Sequence, residues 1–162
     1  MASPIHDHIR DFLTCRRIAI AGLSTDAEDF SCAIREKLEE AGFTVYGVNP
    51  KFEVDAERRN YRDLASIPGD PVEGVFVTTA SGAGLDVVKA CKTLGIPRVW
   101  FHQNFGTGSV SKEGADFGRE NGITIIDRGC PMMFVEPVDW FHKTLRFCKG
   151  MKAVPSSPRQ DS

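Results

Sequence analysis

Short apolar segments alternate with amphipathic helical segments along this chain of 162 residues. Arg17–Ala21 is a continuous apolar run after its first residue, as expected of a strand buried on both faces of a sheet. The segment that follows predicts a helix over residues 27–41, with Phe30, Ile34 and Leu38 on one stripe. Further strands are predicted over residues 43–48, 72–78, 98–101 and 123–126. This alternation predicts a three-layered α/β fold with a Rossmann-like, doubly wound parallel sheet of about five strands.

Helices are also predicted near both ends of the chain and between the later strands. Helical spacing of Ile5, Ile9 and Phe12 predicts a short first helix, and residues 138–148 predict a last one. Residues 87–94 and 111–121 predict two more; the second contains two glycines, which weaken a helix. We expect a single domain over residues 1–150 and a disordered tail over 151–162, where Ser and Pro are frequent.

The composition argues against several classes of protein. Hydrophobic residues make up 41% of the chain and charged residues 26%, as in soluble globular domains. The net charge of −2, without a basic stripe, argues against a nucleic-acid partner, and no apolar run is long enough to cross a membrane. The five cysteines are odd in number and lack C-x-x-C spacing. They predict free thiols in a cytoplasmic protein without a disulfide framework or a metal site.

The loop after the first predicted strand begins at Gly22 and leads into a helix. Ligands of parallel α/β sheets bind at the carboxyl ends of the strands, and a helix N-terminus favours an anion. Hydroxyls of Ser24 and Ser31 could therefore bind phosphate, or one of these serines could only cap the helix. The G-x-G-x-x-G fingerprint is missing. Three carboxylates within residues 26–29 would repel a phosphate unless they point into solvent.

The loop after the second predicted strand contains Asn49, Pro50 and Lys51. NAD-binding folds usually have Asp or Glu at this place to bind the ribose hydroxyls. A lysine instead suits a phosphorylated ribose, either the 3′-phosphate of coenzyme A or the 2′-phosphate of NADP. The simpler alternative is that Asn-Pro ends the strand and that Lys51 is a surface charge.

The remaining strand ends carry small or polar residues. Thr78 and Thr79 would let a ligand approach the backbone closely, or would begin the next helix. His102 and Gln103 bring polar side chains to the fourth strand end, where His102 fits a hydrogen-bonding wall better than a catalyst. Cys130 is either a partly exposed thiol or a buried structural cysteine. No nucleophile, base or metal-ligand motif is present, so no catalytic residue is predicted.

Five segments in this order resemble the small stand-alone CoA-binding domain proteins. Those proteins are similar to the CoA-binding half of the succinyl-CoA synthetase alpha subunit. The resemblance extends over about residues 10–145. The segments that carry it are residues 18–24 (IAIAGLS), 42–50 (GFTVYGVNP), 61–68 (YRDLASIP), 99–103 (VWFHQ) and 127–130 (DRGC).

The resemblance implies a domain that binds coenzyme A or an acyl-CoA along the strand ends, without clear catalysis of its own. A contact of Cys130 with the thiol of the bound molecule is a subsidiary hypothesis. The implied contacts fall in four groups along the ligand. They are Gly22, Leu23, Ser24 and Ser31 at the pyrophosphate; Asn49, Pro50 and Lys51 at the adenosine and its 3′-phosphate; Thr78 and Thr79 along the cleft; and Gln103 at the pantetheine arm.

Two positions depart from the pattern of these relatives. Asp29-Phe30 replaces an Arg-Pro or Asn-Pro pair before the helix serine, and Thr79 stands where relatives often have arginine. Both changes affect expected phosphate contacts. Two alternatives therefore stay open: an NADP-binding oxidoreductase or sensor, and an interaction or regulatory domain that has lost its ligand. The expected partner is a small nucleotide ligand, and a homodimer is a further expectation.

Overall fold

A six-stranded parallel sheet forms the centre of the molecule. The structure is a computed structural model that describes residues 4–103 and 108–135. The strands are β1 (Arg17–Ala21), β2 (Thr44–Val48), β3 (Asn60–Tyr61), β4 (Gly74–Val77), β5 (Arg98–Phe101) and β6 (Thr124–Ile126). The helices are α1 (Pro4–Phe12), α2 (Phe30–Glu40), α3 (Gly84–Leu94) and α4 (Lys112–Glu120). The predicted α/β, Rossmann-like fold is confirmed.

The order of the strands across the sheet is β3-β2-β1-β4-β5-β6, and every pair is parallel. The chain therefore winds outward from β1 in one direction and then from β4 in the other. The order reverses between β1 and β4, which is where ligands of such folds bind.

Alternate residues of each central strand pack into opposite layers. In β1, Ile18 and Ile20 belong to the cluster that contains Phe12 and Trp100. Ala19, the residue between them, belongs to the second cluster with Val88 and Cys91 of α3. All of these side chains are at most 2% exposed, because a parallel sheet is covered on both faces. Burial on both faces explains why the strands appear as continuous apolar runs in the sequence.

The structure differs from the sequence prediction at two elements. Short β3 adds a sixth strand within the segment 51–71, which carries no strand signal. Helix α2 begins at Phe30 rather than at residue 27, because Asp29 is its N-cap. The predicted last helix, residues 138–148, and the tail, 151–162, lie outside the described residues. Within the part of the chain that is described, no helix is both long enough and apolar enough to span a bilayer.

Helix α4 forms in spite of its two glycines, because they lie where α4 meets the rest of the fold. A Cβ on Gly114 would lie 3.1 Å from the backbone of Gly84 at the start of α3. A Cβ on Gly118 would lie 2.5 Å from the side chain of Ile125 in β6 and 3.2 Å from that of Val88 in α3. The glycines therefore allow α3 and α4 to approach closely, and this packing offsets their low helix propensity.

Candidate ligand site at the carboxyl edge of the sheet

The loops after β1 and β4 touch where the strand order reverses. Gly22 has a φ of +95°, a conformation that side-chain-bearing residues rarely adopt. Its N–H donates to the carbonyl of Val48 at 2.8 Å. A Cβ on this residue would lie 2.7 Å from the backbone nitrogen of Thr79, so only glycine fits without a shift of the backbone. This contact brings the β1 turn against the β4 turn.

The two threonines after β4 have different environments. Thr78 is tied to β1, because its N–H and its hydroxyl both donate to the carbonyl of Ala21, at 2.9 and 3.2 Å. The hydroxyl oxygen of Thr79 is buried and has no hydrogen-bond partner among the described residues. An unpaired buried hydroxyl costs free energy, so the position favours a bound group that would pair with it.

Asn49 joins the β1 turn to the β2 turn. Its side-chain amide donates to the carbonyl of Leu23 at 2.9 Å, and its Oδ1 accepts from the backbone N–H of Lys51 at 2.9 Å. Leu23 is 2% exposed, whereas Pro50 and Lys51 are exposed. The Lys51 ammonium group forms no ion pair with any described residue, so its charge is available at the end of β2.

The start of α2 is closed by the chain's own groups. Oδ1 of Asp29 accepts from the backbone N–H of Ser31 at 2.8 Å and from its hydroxyl at 2.5 Å. The Ser31 oxygen in turn accepts from the N–H of Ser24 at 3.0 Å. Asp29, and neither serine, is therefore the N-cap of α2. The neighbouring carboxylates of Asp26 and Glu28 belong to exposed residues.

A groove of about 540 Å³ lies between α2, the β1 turn and the connection from β2 to β3. Its volume falls within the range of small-molecule sites. Arg35 closes one side: its guanidinium donates to Glu39 at 3.2 Å, to Asn60 at 2.7 Å and to the carbonyl of Arg58. The lining residues include Leu23, Ser24, Arg35, Phe52, Arg58 and Asn60, together with the carboxylates of Glu36 and Glu39.

An aromatic pair extends across the same edge of the sheet. The ring of Phe30, at the start of α2, stacks on the imidazole of His102 after β5, with centroids 4.8 Å apart. His102 also meets Phe76 of β4 edge to face at 5.9 Å. Gln103 follows, and its backbone N–H donates to the carbonyl of Gly129 at 3.1 Å.

Cys130 lies inside the apolar core. It is 2% exposed and belongs to the cluster of Met133 and Phe134. The predicted contact with a ligand thiol stays a prediction, and it needs the core to open around this sulfur.

The structure brings the predicted residues Gly22, Leu23, Asn49, Thr78 and Thr79 together through direct contacts. Sequence reasoning missed three features of the site, which are the Asp29 cap, the Phe30–His102 stack and the groove beside Phe52. An Asp two residues before a helical Ser is a cap signal that was available in the sequence. The stack joins residues that are distant in the chain, so no local signal predicts it.

Comparison with known proteins agrees with this architecture. The sequence profile of the CoA binding domain family matches residues 16–136. No curated protein matches the chain. Similar solved structures include a hypothetical protein from Pyrococcus horikoshii OT3, which is 27% identical with a TM-score of 0.69 over 80% of this chain and 92% of that one. A conserved hypothetical protein from Pyrococcus furiosus is also 27% identical, with a TM-score of 0.62 over 71% of this chain and 95% of that one.

A larger enzyme contains the same fold. The dinucleotide-forming acetyl-coenzyme A synthetase 1 from Candidatus Korarchaeum cryptofilum is 21% identical, with a TM-score of 0.56 over 68% of this chain and 25% of that one. At this identity the likeness extends to the fold alone. The family profile covers well over half of the residues, from β1 to beyond the last described residue. The chain therefore belongs to the CoA binding domain family.

Proposed function

We propose that this protein binds coenzyme A or an acyl-CoA at the carboxyl edge of its sheet and acts as a binding module. Membership of the CoA binding domain family supports the ligand class. The observation that carries the proposal is the buried hydroxyl of Thr79 beside Gly22, which has no hydrogen-bond partner within residues 4–103 and 108–135. It lies where the strand order reverses and where such folds hold nucleotides.

The groove supports a place for the adenosine end. Phe52 offers an aromatic ring on one side, and the β1 turn, residues 23–25, forms the other. Two cations lie close by, since Arg58 lines the groove and Lys51 precedes Phe52 in the chain. Both belong to exposed residues, and cations there suit a phosphorylated ribose. The Gly22–Thr79 contact and the Asn49–Lys51 turn would hold the rest of the nucleotide.

The pKa shifts of three cysteines, of which only Cys32 lines the groove, support binding rather than nucleophilic chemistry. Cys32 lines the groove, where burial and the charge of Asp29 raise the pKa of its thiol. Burial raises the pKa of Cys15 to about 11 and that of Cys91 to about 12. Because the thiolate is the reactive form, these cysteines are poor nucleophiles at neutral pH.

The test is isothermal titration of CoA into the wild type and into Thr79→Val. The wild type should bind with a Kd below about 1 mM, and Thr79→Val should bind about five- to tenfold more weakly, since one hydrogen bond is lost. The free energy of unfolding should stay equal or rise, because Val removes an unpaired buried oxygen. Thr93→Val, an exposed threonine of α3, is the matched control and should leave binding unchanged.

The outcomes also separate the alternatives. Tighter binding of NADPH than of CoA would favour the NADP-binding alternative, since Lys51 suits either phosphorylated ribose. No binding of either nucleotide at millimolar concentration would overturn the proposal in favour of an interaction domain. Equal CoA affinities of the wild type and Thr79→Val would show that the Thr79 hydroxyl does not bind the ligand.

A further inference from the structure

We propose that Arg35 is a positioning residue, which shapes the groove for the adenosine end of the ligand by holding the chain between β2 and β3 against α2. The inference rests on the proposed function, because it concerns how the same groove is formed. One wall of the groove is the connection from β2 to β3, residues 49–59, which contributes Phe52 and Arg58. Arg35 lies on the face of α2 that lines the same groove.

The connection from β2 to β3 receives little support from the strand that ends it. Strand β3 has two residues, Asn60–Tyr61, and these pair with β2. Arg59, just before the strand, has a φ of +53°, a conformation that costs free energy for a residue with a side chain. The ion pair of Arg62 with Glu53, at 3.0 Å, joins the connection to the chain after β3 but is exposed. The connection therefore depends on contacts with another element to keep one conformation.

Arg35 supplies contacts of this kind from α2. One terminal nitrogen of its guanidinium donates to Oδ1 of Asn60 at 2.7 Å, and the other donates to the carbonyl of Arg58. Its Nε donates to Glu39 at 3.2 Å, so the charge is balanced within α2. The side chain is 14% exposed, and a guanidinium is a rigid fork of several donors. Arg35 therefore fixes the wall of the groove relative to the helix.

Gly47 of β2 provides the space for this arrangement. A Cβ on Gly47 would lie 2.4 Å from Cδ2 of Leu23, 2.7 Å from Oδ1 of Asn60 and 3.2 Å from Nη1 of Arg35. Glycine weakens a strand interior and often marks a place where other groups approach the backbone closely. The three side chains that converge on Gly47 all line the groove. The packing of β2 and the hydrogen bonds of Arg35 thus point to the same cavity.

This geometry predicts how Arg35 affects binding. A site whose walls are fixed before the ligand arrives binds more tightly, because less ordering accompanies binding. Without Arg35, only a fraction of the molecules would have a formed groove, and the apparent affinity would fall by that fraction. Since Glu39 balances its charge, Arg35 acts through the position of the wall and not as a cation on a phosphate.

Two variants of Arg35 and one control test the inference. Arg35→Gln and Arg35→Lys both remove the fork, and Arg35→Lys keeps the charge. Arg119→Gln is the matched control, because it removes an arginine of α4 that pairs with Asp127 at 2.7 Å and does not line the groove. Each chain is titrated calorimetrically with CoA and with adenosine 3′,5′-bisphosphate, which is the adenosine end of CoA. Amide hydrogen exchange is measured on each chain with and without CoA, and melting temperatures check that the fold is kept.

Both Arg35 variants should bind both ligands about tenfold more weakly than the wild type. The backbone N–H groups of Asp55 and Asn60 each donate to the carbonyl of the other residue at 2.9 Å. In the ligand-free Arg35 variants these amides should exchange about tenfold faster, while those of Val88 and Cys91 in α3 should not change. Saturating CoA should restore the protection, and Arg119→Gln should behave as the wild type.

Wild-type affinity in Arg35→Lys together with weak binding by Arg35→Gln would overturn the inference, because the charge and not the fork would then matter. Unchanged exchange of Asp55 and Asn60, or a loss of affinity for CoA alone, would overturn it as well. Equal affinities of the wild type and both Arg35 variants would overturn the inference and leave the proposed function standing. Absence of CoA binding by the wild type at millimolar concentration would overturn the proposed function and the inference together.

Discussion

The side-chain amide of Asn49 donates a hydrogen bond to the carbonyl of Leu23 at 2.9 Å, and so the ends of β1 and β2 are joined by one residue. The same side chain accepts the backbone N–H of Lys51. An amide is the group that does both, since it carries a donor and an acceptor. This dual role gives a physical reason for asparagine at a position where NAD-binding folds use a carboxylate.

Asn49→Asp should therefore lower the stability of the protein and should not create an affinity for NAD. The carboxylate would still accept from Lys51, but it would face the carbonyl of Leu23 without a donor. We expect the free energy of unfolding to fall by about 1–3 kcal/mol. Urea denaturation measures this change, and titration with NAD should detect no gain of affinity. An unchanged stability would contradict the assigned hydrogen bond.

The ion pair of Asp11 with Arg98 predicts a pH dependence of stability. Two N–H groups of the guanidinium donate to the carboxylate at 2.6 and 3.1 Å, which links α1 to β5. The hydrogen bond from Arg98 lowers the pKa of Asp11. The stabilisation is therefore complete above the unfolded pKa of about 3.9 and is lost as the pH falls through the lower pKa of the folded state.

Asp11→Asn should lower the free energy of unfolding by less than about 1 kcal/mol at pH 7, because the pair is partly exposed. The difference from the wild type should shrink steadily as the pH is lowered from about 4 towards 2. Urea titrations across this range provide the measurement. Asp7→Asn is the control, since the ion pair of Asp7 with Arg10, at 3.6 Å, is exposed. A pH-independent difference would show that the pair does not act through ionisation.

For the substitution Gly114→Ala, helix propensity and packing have opposite effects on stability. Alanine is favoured over glycine by about 1 kcal/mol in a helix interior. In α4, however, the new Cβ would lie 3.1 Å from the backbone of Gly84, which has little freedom to move. We expect Gly114→Ala to destabilise the protein by about 1–2 kcal/mol in net terms.

The melting temperature of Gly114→Ala, compared with that of the wild type, shows which of the two effects is larger. Glu120→Ala, at an exposed position of the same helix, should stay within about 0.5 kcal/mol of the wild type and controls for the effect of alanine itself. A higher melting temperature of Gly114→Ala would mean that α3 and α4 can separate without cost.

The fold was predictable because each central strand is buried on both faces. Such burial gives continuous apolar runs, and the runs at 17–21 and 98–101 have the same bounds as β1 and β5. Strand β3 was not predictable, because two residues within a polar segment carry no periodic signal. Tyr61 pairs with Val48 of β2 there, so pairing with the sheet, and not a pattern in its own sequence, defines this strand.

The candidate site was predictable only at the level of its loops. The rule that ligands lie at the carboxyl ends of parallel strands identified the turns at Gly22, Asn49 and Thr78. It did not indicate which oxygen atoms would remain unpaired, because tertiary packing is what leaves the Thr79 hydroxyl without a partner in the described part of the chain. The acidic residues before α2 were expected either to point into solvent or to repel phosphate. Asp29 instead binds its own helix.

The short outer strands limit how copies of this protein can associate. Strands β3 and β6 form the two borders of the described sheet, with two and three residues. Continuous pairing with another chain needs a longer row of free backbone groups, so these borders are poor templates for sheet extension and fibril growth. The expected homodimer would have to rely on side-chain surfaces, and its formation should be sensitive to single surface substitutions.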